Sequence, residues 1–324
     1  MPHKKTQTKP ASPLHARSFE QKQARVGVDQ SPASAHPTVS GRWILIAASV
    51  SIATAAVCGW LTLCLLFWQG SWQLLYRPAS PIARTPASAG LAFDPVAFAA
   101  TDEGQSRLKG WWIPAEPSAR YARYSVLYLH GQAGNLGDAV DELAALHSIG
   151  INIFAFDYRG YGQSQPTHPS EARWREDAEW ALTYMTATRH IAAGSIVLDG
   201  RELGANLALE VAAAHPELAG VVIDAPVDSP LQAIFSDPRT RMIPARLLMR
   251  DRFDANLAAA ALRIPSLWLD EKITSKAGSI QNVSPPGYEQ VQSAKMLARL
   301  PRNADAWHEF ASSYARWMDD LAAK

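Results

Sequence analysis

The stretch Ile196-Val197-Leu198-Asp199-Gly200-Arg201-Glu202-Leu203-Gly204-Ala205-Asn206-Leu207-Ala208-Leu209 constrains this chain more than any other. A short apolar run predicts a strand. Gly200 and Gly204 bracket a turn with Gly-x-x-x-Gly spacing, and the apolar residues beyond it recur at helical intervals. Small residues on both sides let a strained turn bring strand and helix close together. The central side chain is then held at the helix N-terminus, beyond the strand end. Here it is Glu202.

The 324 residues are 48% hydrophobic with a net charge of +1, which suits one globular core with added segments. So even a charge balance gives no electrostatic reason to expect a nucleic-acid partner. The two cysteines, Cys58 and Cys64, both fall in one apolar run, so the rest of the chain can hold neither a disulfide nor a thiolate metal site. No metal and no cofactor is expected.

Residues 1–42 are rich in Ser, Pro, Gln and charge without apolar periodicity, and read as a disordered tail. Lys4, Lys5, Lys9, Arg17, Lys22, Arg25 and Arg42 outnumber Glu20 and Asp29, so the tail is basic. From 43 to 68 no residue is charged, and a helix of that length crosses a hydrocarbon core of roughly 30 Å. Trp43, Trp60, Trp68, Trp72 and Tyr76 supply aromatic residues for the two interfaces, Trp60 lying inside the run. A cleavable signal peptide is the rival reading, but the charged region is too long for one and the apolar run exceeds roughly 15 residues. The expectation is a permanent single-pass anchor that makes the membrane a partner. The basic excess ahead of it puts the N-terminus in the cytoplasm and the folded part outside it. Residues 69–90, rich in Pro, Ala and Ser, read as a juxtamembrane tether.

The folded domain is expected over 91–324. Strands are predicted at Leu91–Ala99, Leu108–Ile113, Tyr124–Leu129, Ile151–Phe156, Ser195–Leu198, Gly220–Ile223 and Ile264–Leu269. Helices are predicted at Asp138–His147, Glu171–Thr188, Leu203–Ala214, near Gln290–Arg299, and from after Phe310 to about Leu321. Residues 227–262, broken by Pro230, Pro238 and Pro244, read as a cap over a cleft or as an elaborate crossover. The alternation implies an α/β fold, a mostly parallel sheet with helices on both faces, whose ligands bind beyond the carboxyl ends of the strands.

Three ordered motifs carry a resemblance: Leu127-Tyr128-Leu129-His130-Gly131-Gln132-Ala133-Gly134-Asn135, Phe156-Asp157-Tyr158-Arg159-Gly160-Tyr161-Gly162-Gln163-Ser164, and the Gly200–Gly204 turn. Together they resemble the α/β-hydrolases, most closely the membrane-anchored, serine-aminopeptidase-like branch, over about residues 91–324. The resemblance implies an α/β-hydrolase fold and makes the glycine turn a nucleophile elbow. The implied chemistry is acyl transfer, in which a Ser attacks, a His takes its proton, an acid orients the His and two backbone N–H groups hold the oxyanion. By position the donors are the amides of Gln132 and Leu203, with Gln132 standing where the family usually has Asn. His308 matches the catalytic His, in the last loop before the C-terminal helix. Asp157 and Arg159 are expected to support loop architecture.

Two departures follow. The acid position falls on Thr274, or on Gln281 or Asn282 if an insertion is allowed, and none is a carboxylate. Asp270 and Asp224 are the possible substitutes. At the elbow itself, Glu202 replaces Ser. A carboxylate at a helix N-terminus is favoured as the anion, is a poor acyl acceptor, and is long enough to fold back on the oxyanion donors. Paired with His308, it would raise the His pKa and weaken it as a base. One reading is a degenerate hydrolase with a binding or scaffold role, open to a small-molecule or lipid-like ligand. The other is an active hydrolase of ester, amide or epoxide-type substrates using Glu202 as nucleophile or base with His308. A displaced nucleophile such as Ser229 is the least supported.

Overall fold

The computed structural model describes residues 39–228, 234–235, 238–271, 283–300 and 306–323. The positions Ser229, Thr274, Gln281 and Asn282 lie outside them. The chain divides into residues 1–55 and 56–324. In the first unit the described residues carry the start of the helix Gly41–Gly70 (α1), whose 30 residues are long and apolar enough to cross a membrane.

The second unit holds an eight-stranded sheet built from Asp94–Ala100 (β1), Ser106–Ile113 (β2), Ser125–Leu129 (β3), Asn152–Asp157 (β4), Ile196–Arg201 (β5), Gly220–Asp224 (β6), Ser266–Glu271 (β7) and Lys295–Leu300 (β8). The spatial order is β8-β7-β6-β5-β3-β4-β2-β1, with β2 antiparallel to both β1 and β4 and the other pairings parallel. Strands β3 and β5 sit at the centre. β3 is buried throughout and β5 at its first five positions, because parallel strands covered on both faces leave no side to water.

Helices Val140–His147 (α2), Glu171–Thr183 (α3), Leu203–Ala214 (α4), Ala255–Ala261 (α5) and Ala306–Ala322 (α6) cover the sheet. Alternate residues of each central strand feed two buried layers. Leu127, Leu129, Ile196, Leu198, Val221 and Ile223 face Trp174, Leu207 and Val211, while Val126, Tyr128, Val197 and Val222 face Leu143, Phe310 and Tyr314. In α6 the buried residues Phe310, Tyr314, Trp317 and Met318 recur at helical spacing and line one stripe.

One element departs from expectation. The segment near Gln290–Arg299 is not a helix: a short 3-10 turn, Tyr288–Gln290, leads into β8. Lys-Met-Leu-Ala-Arg-Leu consists of good helix formers, but its parallel pairing with β7 overrides that weak local preference.

Residues 77–90 are fastened to the domain. Arg77–Pro78 pairs in parallel with Ala133–Gly134, the Arg77 N–H donates to the Gln132 carbonyl at 2.8 Å, and Asn135 Nδ2 donates to the carbonyls of Ala79 and Pro81. The chain leaving α1 is therefore stitched to the turn that follows β3.

Candidate functional site

The carboxyl ends of β3 and β5 point to the same place. β5 runs into α4 through Glu202, whose backbone is at φ 52°, ψ −119°, a conformation that costs a non-glycine residue energy. Two backbone bonds pin it: Glu202 N–H to Asp224 carbonyl (2.8 Å) and Ala205 N–H to Glu202 carbonyl (3.0 Å). The flanking glycines are there because nothing larger fits. A Cβ on Gly200 would stand 2.2 Å from the Gly204 carbonyl oxygen, and one on Gly204 would stand 2.2 Å from that of Leu129.

The Glu202 side chain is half-buried and does not cap α4. It leans over Gly131, where a Cβ would come within 2.8 Å of Glu202 Oε2. Among the described residues its carboxylate has no hydrogen bond or ion pair. The Leu203 N–H, the first oxyanion donor by position, is occupied: it donates to Gln132 Oε1 at 3.1 Å. A backbone donor at residue 132 is indifferent to its side chain, but glutamine's extra methylene lets this amide reach across and fill the donor opposite. Tyr161 and Arg77 hold the Gln132 backbone in place by donating to its carbonyl at 2.8 Å each.

A pocket of about 260 Å³ opens beside the elbow, lined among others by Asn135, Asp138, Asp141, Glu142, Arg201 and Glu202. Most of its acids are already engaged. Asp138 accepts from the Asn135 N–H, Asp141 holds Arg84 by two bonds of 2.7 and 2.9 Å, and Glu142 pairs with Arg201. Glu202 is the unpaired carboxylate in the group.

His308 is not in a loop. The C-terminal helix begins at Ala306, two residues ahead of His308, which is exposed in its first turn. Among the described residues it has no hydrogen bond, ion pair or ring contact, whereas its neighbour Trp307 lines the pocket and lies under Arg201 at 5.9 Å. Asp224 ends β6 and Asp270 is the last but one residue of β7, both half-buried and each engaged in interactions of its own. Asp224 serves the elbow through its backbone carbonyl, and Asp270 lies opposite Arg299 in the sheet register. The structure thus brings Glu202, Gln132 and Leu203 together and joins none of them to His308.

The sequence reading missed the polar cluster beneath the elbow. Asp199, fully buried in β5, lies among Glu142, Tyr128, Tyr314 and Arg201. Burial, then the nearby Glu142 and Asp224 charges, push its carboxyl well above the usual carboxylate range. The available signal was an aspartate inside an otherwise apolar strand run.

The other motifs have structural work. Arg159 pairs with Asp177 (2.5 Å) and Glu176 and lies over the Trp180 ring at 4.6 Å. His130 is buried, and burial lowers its pKa to about 4. Its Nδ1 lies 2.8 Å from the Gly131 carbonyl, so Nδ1 carries the proton and Nε2 faces Asp157 at 3.6 Å. Burial raises Asp157 to about 7, against bonds from the backbone of Leu136 and Gln163 that favour its anion.

These two groups oppose each other in pH dependence. Unfolded His130 gains a proton below about 6.5 while the folded form stays neutral down to about 4, so its contribution is lost as pH falls. Unfolded Asp157 loses its proton above about 4 while the folded form keeps it up to about 7, so its contribution is lost as pH rises. Between those limits the pair leaves stability flat. In His130→Gln only the Asp157 slope remains, and the unfolding constant relative to the parent should rise about tenfold per pH unit from about pH 4.5 to 6. Denaturant titrations followed by tryptophan fluorescence test this; a pH-independent difference would refute the assignment.

Fold and site together define an α/β-hydrolase frame with its elbow intact. Comparison with known proteins agrees. Residues 120–269 match the family Hydrolase_4, serine aminopeptidase S33. The uncharacterized protein Rv2307c of Mycobacterium tuberculosis is 29% identical over 204 residues, 63% of this chain and 69% of that one. The human alpha/beta hydrolase domain-containing protein 17C is 27% identical over 223 residues, covering 67% and 61%. The solved esterase Pf2001 of Pyrococcus furiosus superposes with a TM-score of 0.56 at 15% identity, over 76% of this chain and 97% of that one, a likeness of fold alone. The family match, the curated relatives and the shared fold support an α/β-hydrolase family member.

Proposed function

We propose that this is a membrane-anchored α/β-hydrolase-family protein whose site binds a ligand instead of performing serine-type acyl transfer. The observation that carries the reading is the pair of substitutions at the elbow: an unpaired Glu202 carboxylate in place of a nucleophilic hydroxyl, and the Leu203 donor filled by Gln132. Acyl transfer needs an activated nucleophile and donors aimed at the developing oxyanion. The exposed position of His308 supports the same reading, since a base must lie within hydrogen-bond reach of the group it deprotonates. A half-buried carboxylate without a partner is suited to a ligand that brings a cation or hydrogen-bond donors, such as a primary ammonium. Anchoring through α1, with the basic N-terminal tail in the cytoplasm and the domain outside it, belongs to this proposal.

Two measurements test it. A fluorophosphonate probe, which labels activated serines, should leave the purified chain unmarked; stoichiometric labelling would reject the reading. Butylammonium should raise the melting temperature more than butanol does, and Glu202→Gln should erase the difference. Equal shifts in parent and variant would remove Glu202 from recognition.

A further inference from the structure

A second concave surface lies away from the elbow, where the last part of α1 meets residues 240–243. A groove of about 470 Å³ is lined by Leu63, Leu66, Phe67, Leu74, Met242 and Ile243, within the size range of roughly 300–1,000 Å³ of ligand pockets. Beside it, sharing Thr240 and Ile243, is a notch of about 420 Å³ that contains Arg241 and Arg246. An apolar slot joined to a basic notch is the outline of an amphiphile.

The segment carrying Met242 and Arg250 is fixed to the helix there. Trp60 Nε1 donates to the Met242 carbonyl at 3.0 Å, and the Arg250 guanidinium lies 4.5 Å from the Trp68 ring. Residues 238–252 carry five arginines against Asp251 alone. Among the described residues, Arg241 and Arg246 are exposed and neither has a hydrogen bond or ion pair, Arg246 lying only against the Phe235 ring at 5.1 Å. Met242 and Leu247 beside them are 70% and 83% exposed. Unpaired arginines interleaved with protruding apolar side chains are the composition of a surface that rests in a lipid interface. Membrane depth agrees: about 20 helical residues cross the hydrocarbon, so a 30-residue helix has about ten to spare, enough to carry Leu63–Gly70 to headgroup level.

We propose that the groove seats one acyl chain of an anionic phospholipid from the bilayer that α1 enters, its phosphate held by Arg241 and Arg246. The inference rests on the anchoring reading above. Arginine suits the task because its planar fork meets phosphate oxygens two at a time. The strand-like segment after α1 is bonded to the Gln132 turn, so an occupied groove lies on the same rigid connection as the elbow.

The test uses the full chain in phosphatidylcholine nanodiscs doped with a phospholipid bearing a diazirine on its acyl chain, in phosphatidylglycerol and phosphatidylcholine forms. Mass spectrometry of the photoadducts should place them on Leu63–Leu74 and on residues 240–243, about tenfold more for phosphatidylglycerol. Arg241→Gln with Arg246→Gln should make the two headgroups equal, and Ile243→Trp, which fills the slot, should lower the yield for both. Adducts spread along the whole helix, none on 240–243, or a headgroup preference that survives the double substitution would overturn the proposal. Carbonate extraction of the chain from membranes separates the two levels. A chain that is released refutes the anchoring itself, and one that stays while labelling as above fails refutes the groove alone.

Discussion

Glu202→Ser alone is expected not to recover acyl transfer, and Glu202→Ser combined with Gln132→Ala is expected to react with a fluorophosphonate about 100-fold faster than the single variant, the usual worth of one oxyanion donor. The single change supplies a hydroxyl at a correctly strained elbow, but the Leu203 N–H remains bonded to Gln132 Oε1. Truncating Gln132 frees that N–H while leaving both backbones in place, since the residue is held through its carbonyl by Tyr161 and Arg77. Stopped labelling reactions resolved by intact mass measure both rates. Equal rates in the two variants would mean that the Gln132 contact does not block the donor.

The second large effect concerns the glycines. Gly204→Ala should cost more than about 4 kcal/mol, a large part of the roughly 5–15 kcal/mol that holds a domain together. The new methyl would stand 2.2 Å from the Leu129 carbonyl and 2.4 Å from that of His130, backbone atoms at and just past the end of β3 that cannot step aside. Gly200→Ala should be as severe, meeting the Gly204 carbonyl at 2.2 Å and Ala205 Cα at 2.7 Å. Gly194→Ala is the control, with its nearest heavy atom 3.8 Å away. Gly131→Ala is a different case: its closest contact is the far end of the Glu202 side chain, which can swing aside, so the fold should survive while the carboxylate moves. Denaturation midpoints of the four variants rank these costs. A Gly204→Ala protein as stable as Gly194→Ala would show that strand and helix can part here.

Those glycines also show how much of the molecule was legible in its residues. The spacing Gly200–Gly204 between an apolar strand run and a helical run located the elbow, and α4 begins and ends where the periodicity placed it. Such signals are strong because steric exclusion at a close approach leaves a mark in the sequence itself. Strand β8 left none. Its residues favour a helix in isolation, and only pairing with β7, distant in sequence, makes them extended. His308 was misplaced for a related reason: helix boundaries are set by the last few residues' surroundings, and α6 starts early enough to take it in. Glu202 was visible as an anomaly, but its partnerless state was not, because it depends on the Arg201 guanidinium being taken by Glu142 and the Asn135 N–H by Asp138. The Gln132 contact depends on a side-chain torsion that no pattern encodes.

Whether Glu202 does chemistry is tested most directly by turnover of short acyl esters, epoxides and haloalkanes by the full chain and by Glu202→Gln, measured side by side. Both proteins should show the same background rate. Turnover by the parent chain that disappears in Glu202→Gln would contradict the binding role and make Glu202 the working nucleophile or base of an active hydrolase.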